Sequence, residues 1–114
     1  MIVDCFTFFN EFDILDIRLH EMSPWVDRFV LVESAEAFSG IEKPLLFEKN
    51  KDRFKSFLPK IVHLVSPLVA KSTNAWDRQS YQRNYAMEAL SDCKDEDLIL
   101  ISDVDEIVRG QDFT

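Results

Sequence analysis

Residues 2–9 read IVDCFTFF, a run in which Val3, Cys5, Phe6, Phe8 and Phe9 leave almost no polar face. A strand apolar on both sides must be covered on both sides, which is the situation of a parallel sheet with helices packed above and below. Residues 27–33 (DRFVLVE), 60–65 (KIVHLV) and 98–102 (LILIS) read as further strands of the same kind.

The intervening segments carry helical signals. Ile14, Leu15, Ile17, Leu19 and Met22 predict a helix over 13–22, capped by Asn10 or Asp13 and ended by Pro24. Residues 35–49, with Gly40 and Pro44, form a long connection. A short helix is expected over 50–57, with Phe54 and Phe57 on one side and Pro59 as its stop. After a loop over 66–74, Asn74 caps a longer helix over 75–91, whose buried stripe is Tyr81, Tyr85, Ala86, Ala89 and Leu90. Another helix begins near Glu106. The alternation implies an α/β fold: a doubly wound, Rossmann-like parallel sheet of about four strands flanked by helices, with right-handed crossovers. A strand order of 3-2-1-4 puts a topological switch point between the first and fourth strands, and ligands bind at the carboxyl ends of strands there.

Three polar groups leave strands at that edge: Asn10 and Glu11 after the first, Glu33 and Ser34 after the second, Asp103 and Asp105 after the fourth. In DLILISDVDEIV, residues 97–108, an apolar strand empties into Asp103, Asp105 and Glu106. The D-x-D spacing is cheap by itself, since Asp95 and Asp97 share it, and its value lies in its position. If strand geometry persists through 105, both carboxylates point the same way, one to a cation and the other to a hydroxyl or a metal-bound water. The alternative is an acidic helix N-terminus at Asp105 and Glu106. Asn10 and Glu11 serve either a base or ribose, or a helix cap with an acidic first turn. Glu33 serves either the rim or a structural pair with a Lys or Arg. Arg83 serves either an acidic cluster or phosphate, or a solvated helix face. His20 and His63 read as structural.

With 114 residues, 46% hydrophobic and 30% charged, the chain holds one globular domain. The net charge of -8 excludes a nucleic-acid binder, which needs a basic face. The same charge repels an anionic ligand such as a nucleoside diphosphate, so a bound Mg²⁺ or Mn²⁺ has to supply the positive field. Neither a P-loop nor G-x-G-x-x-G is present. Cys5 and Cys93 have no metal or redox spacing and read as free thiols. With neither a signal peptide nor a membrane span visible, the expected location is cytoplasmic.

The segments VDCFTFFNEFDILDIRLHEM, VDRFVLVES, FSGIEKPLLF, AWDRQSYQRNYAMEAL and DLILISDVDEI, in this order, resemble the N-terminal half of glycosyltransferase family 17. The likeness runs from residue 2 to about 110, and a looser one extends to inverting GT-A transferases with an NE after the first strand and an RN pair before the D-x-D. The resemblance implies a GT-A-like fold and transfer of a sugar, N-acetylglucosamine, from UDP-N-acetylglucosamine to a hydroxyl of a glycan, in N-glycan or polysaccharide processing. It implies that Asp105 ligates Mn²⁺ or Mg²⁺ at the diphosphate. Asp103 touches ribose or the metal shell, Glu33, Asn10 and Glu11 line the uridine site, and Arg83 lies near it. The metal would stabilise the departing UDP, and inverting transfer also needs a base for the acceptor hydroxyl.

The chain departs from the family pattern in stopping nine residues after Asp105 and in carrying no membrane anchor. Residues 1–114 are therefore expected to be the nucleotide-sugar-binding half, with the acceptor half absent, either from a microbial relative without an anchor or as a fragment. A missing half leaves apolar surface near the fourth strand, where that half or a second copy of the chain would associate. The rival reading is a non-catalytic α/β interaction module. A metal-dependent phosphotransferase is the weaker rival, because Asn10 stands where its nucleophilic aspartate is expected.

Overall fold

The structure, a computed structural model, describes residues 1–34, 45–66 and 83–109. Four parallel strands, β1 (Ile2–Phe8), β2 (Arg28–Ser34), β3 (Ile61–Ser66) and β4 (Leu98–Asp103), form one sheet in the order β3-β2-β1-β4. This is the expected order, with β1 and β2 inside and their residues buried almost throughout.

The pleat divides the sheet into two apolar faces. On one, Phe6, Phe8, Phe29 and Leu31 pack with Leu15, Leu19 and Met22 of α1 (Phe12–Met22), Phe47 of α2 (Leu46–Asn50) and Phe54. On the other, Val3, Cys5, Val30 and Val32 meet Ala86, with Tyr85, Ala89 and Leu90 around it. Each large apolar side chain so enclosed contributes about 1.5–3 kcal/mol of burial. Aromatic edges organise the first face: Phe8 meets Phe12 at 5.3 Å and Phe47 at 6.2 Å between centroids, both edge-on.

Several expected boundaries move, each for a tertiary reason. α1 starts at Phe12, and its cap position is Glu11, which makes no side-chain cap bond. The short helix expected over 50–57 instead begins at Leu46. It continues as a 3₁₀ turn, Lys51–Phe54, and Pro59 lies inside a second such turn, Leu58–Lys60. Its buried phenyls are Phe47 and Phe54, while Phe57 is half-buried. Of the helix expected over 75–91, residues 75–82 lie outside the described residues. The described remainder tightens into a 3₁₀ helix, Tyr85–Ala89, closed by the Leu90 amide on the Met87 carbonyl. No helix follows Glu106 within the described residues. No described helix is long and apolar enough to cross a membrane.

Candidate functional site

The carboxyl edge gathers three exits. In register, Thr7 stands beside Asp103 and Phe8 beside Glu33, so the ends of β4, β1 and β2 form one continuous rim. The expected convergence of distant polar segments is therefore present in the backbone. The side chains then separate by face.

At the β1 exit the chain turns immediately into α1. Glu11 Oε1 accepts the amides of Phe9 (3.2 Å) and Asn10 (2.7 Å), and the Asn10 carbonyl accepts the Phe12 amide. The carboxylate thus closes the strand-to-helix turn, and Asn10 is left exposed on the rim.

At the β2 exit Glu33 is fully buried. Its Oε2 accepts the Leu46 amide at 2.6 Å and the Phe47 amide at 3.2 Å, two of the orphan donors at the start of α2. Its Oε1 lies 3.0 Å from His63 Nε2, and the His63 ring stands edge-on to Phe47 at 4.9 Å. A buried carboxylate needs such donors, and here they fix where α2 begins. His63 is accordingly structural in its contacts. His20 is an exposed side chain with Nδ1 2.8 Å from the Asp16 carbonyl.

At the β4 exit strand geometry stops at Asp103. Val104 and Asp105 form a turn, closed by the Glu106 amide on the Asp103 carbonyl at 3.0 Å and by the Asp103 amide on Glu106 Oε1 at 2.8 Å. Val104 drops into the core at 2% exposure. The expectation that Asp103 and Asp105 project together from a continuing strand is corrected: a turn separates them. Asp103 is half-buried and receives Arg83 Nη2 at 2.8 Å from the segment covering the second face, while Asp105 is exposed at the turn's tip. Arg83 therefore reaches the acidic cluster rather than lying on a solvated face, and its Nε is enclosed with no acceptor among the described residues.

The sequence reading passed over Arg18. Its side chain is 1% exposed and closes a two-point ion pair on Asp4, with Nε to Oδ2 at 2.7 Å and Nη2 to Oδ1 at 2.6 Å. Nη2 also reaches Ser102 Oγ, and Nη1 reaches the carbonyls of Asp103 (2.8 Å), Val104 (3.1 Å) and Glu106 (3.0 Å). Removing one member of such a buried pair costs roughly 3–5 kcal/mol. The readable signal was Asp4 itself, since a charge inside a doubly covered strand demands a buried cation.

Oxygen donors such as Asp103 and Asp105 suit Mg²⁺ or Mn²⁺, which commonly take one or two protein carboxylates and complete their shells with phosphate and water. Among the described residues no group of three His, Cys, Asp or Glu could enclose an ion alone. Two carboxylates are the donor number with which such a cation is commonly held jointly with a ligand's oxygens.

An open parallel sheet with an acidic turn at its switch-point edge defines an α/β protein of the doubly wound kind, a class in which ligands commonly bind beyond the carboxyl ends of the strands. The family model for glycosyltransferase family 17 matches residues 1–113, and the chain belongs to that family. Among curated proteins it is similar to the human β-1,4-mannosyl-glycoprotein 4-β-N-acetylglucosaminyltransferase, at 28% identity over 106 residues covering 86% of this chain and 20% of that protein. The Rattus norvegicus and Mus musculus proteins of the same name match at 28% and 27% over the same shares. The chain spans about a fifth of the length of these relatives. No solved structure matches.

Proposed function

We propose that this chain is the donor-binding part of a GT-A glycosyltransferase that holds a UDP-sugar through a divalent cation at Asp103 and Asp105. The observation that carries the reading is the acidic turn at the β4 exit, beside the β1 exit in register and gripped by Arg83. Membership of the glycosyltransferase family supports the reaction class. The relatives' name suggests N-acetylglucosamine as the sugar and a glycan hydroxyl as acceptor.

In this reading a Mg²⁺ or Mn²⁺ ion, when bound, neutralises diphosphate charge and so eases departure of UDP. The chain's own residues do the rest. Asp105, exposed and with no described partner, offers its carboxylate to the cation. Asp103, steadied by Arg83, faces the ribose or the cation's water shell. Asn10 and the turn closed by Glu11 offer polar edges to the nucleoside. Arg83 brings the positive charge that an acidic chain of net -8 otherwise denies to phosphate. Glu33 shapes the neighbouring wall by fixing the start of α2.

Calorimetric titration of UDP with MnCl2, with EDTA, and on Asp105→Ala tests the reading. Binding that needs Mn²⁺ and is lost in the variant is the expected result. UDP affinity that is absent, or indifferent to the metal, in folded protein overturns it. A second reading, the non-catalytic interaction module, is favoured by Leu98 and Ile101, each 47% exposed on edge strand β4. Self-association in sedimentation without any nucleotide affinity would support that alternative.

A further inference from the structure

We infer that Arg18 is a positioning residue for the donor site, holding the backbone of the acidic turn in the shape that presents Asp105. The inference rests on the donor-site reading above and goes beyond it, because Arg18 touches neither carboxylate of the D-x-D.

The donors of Arg18 are divided between the ion pair and the turn. Guanidinium offers five N–H groups in a planar fork. Here the Asp4 side uses Nε and one Nη2 hydrogen. A buried ion pair would be complete with those bonds and one further side chain, and Ser102 Oγ supplies that. The remaining Nη1 is instead directed at three main-chain oxygens, those of Asp103, Val104 and Glu106. With two hydrogens facing three acceptors, the turn is wrapped around one nitrogen. The carbonyls before and after Asp105 point inward to the cation, so Asp105 occupies the exposed crest.

The location of the fork is itself held firmly. Phe6 lies under the guanidinium, 4.5 Å from Cζ to the ring centroid. Asp4 and Phe6 are on β1, Arg18 on α1, Ser102 on β4, so the turn's shape is referred to three elements at once. A turn anchored only by its own Asp103–Glu106 bonds could rock as a unit. One anchored to the central strand cannot, and a cation ligand gains from that fixity because less ordering is left to the binding step.

Lysine in place of Arg18 keeps the charge for Asp4 but has no planar fork to span the three carbonyls. Asparagine in place of Asp4 removes the negative charge but keeps Oδ1 as an acceptor for the guanidinium, which Phe6 on β1 and Ser102 Oγ still hold in place, so the fork stays on the turn. Arg18→Lys and Asp4→Asn therefore separate positioning from stability. Both lower the melting temperature. In the ligand-free full chain, Arg18→Lys speeds hydrogen exchange of the Asp103 and Glu106 amides by roughly tenfold or more, while Asp4→Asn stays within about threefold of wild type after correction for global stability. Affinity for UDP in MnCl2, measured well below the melting transition, falls roughly tenfold in Arg18→Lys and stays within about threefold in Asp4→Asn. The paired variant Asp4→Asn/Arg18→Gln removes both buried charges together and is the substitute where Arg18→Lys does not fold, with the same losses expected. Equal affinity and unchanged amide exchange in a folded Arg18 variant overturn the inference while leaving the donor site intact. Wild-type protein that binds no UDP overturns the donor-site reading and this inference together, and the exchange data then show Arg18 as a purely structural anchor.

Discussion

Arg83 donates to Asp103 at 2.8 Å with both side chains 39% exposed, a half-open ion pair at the place where the strand ends. Pairs this exposed contribute little to folding. Arg83→Ala should change the urea midpoint by the equivalent of less than about 1 kcal/mol. It should lower affinity for UDP in MnCl2 by roughly tenfold, read by calorimetry. Wild-type affinity in that variant removes Arg83 from the donor site.

Glu33 behaves in the opposite way. Its carboxylate is fully buried and holds the first amides of α2. Glu33→Met removes both acceptor oxygens and leaves the first amides of α2 buried without them, at a cost of about 1–3 kcal/mol. The expected record is a lower urea midpoint with an unchanged slope. A stability equal to wild type shows that the amides have found other acceptors.

Asp92 sets an acid limb. Arg28 grips both of its oxygens, at 2.8 and 2.7 Å, and this hydrogen bonding lowers the carboxyl from 3.8 to about 2. A carboxyl lowered in the folded state stabilises it above the unfolded value and loses that contribution as pH falls through the folded one. The loss therefore runs from about pH 4 down to about pH 2. Denaturant melts of Asp92→Asn should be flatter than wild type across that window and parallel to it above. An identical slope in both proteins contradicts the assignment.

Cys5 should be chemically silent. Burial, then the neighbouring Asp4 charge, pushes its thiol up to about 12, so almost no thiolate exists at neutral pH. Titration with a thiol-disulfide reagent at pH 8 is expected to count at most one reactive thiol, the half-buried Cys93, in folded protein and two after denaturation. Two fast thiols before unfolding would show that the centre of the sheet opens readily.

The chain's own pattern discloses the sheet but not the device that completes its edge. Doubly apolar runs such as Ile2–Phe8 need cover on both faces, and that requirement points to parallel strands between helices, with 3-2-1-4 as one order that puts the first and fourth side by side. The exits at Asn10, Glu33 and Asp103 follow from strand direction. What failed to show was set by contacts distant in sequence. α2 starts at Leu46 because Glu33, thirteen residues earlier, supplies an acceptor there. The strand ends at Asp103 because Arg18, 85 residues away, gathers the following carbonyls. Local propensity has no access to either bond. Asp4 was the one visible clue, a charge in the middle of a buried strand.

The pairing of Ile2 with Leu98 has a consequence for biosynthesis. Contacts so far apart along the chain form slowly, and during translation they must wait for β4 to emerge. Until then the innermost strand has one bare edge, open to pairing with any extended peptide nearby. The interval before β4 pairs with β1 is when a chaperone matters most to this sheet.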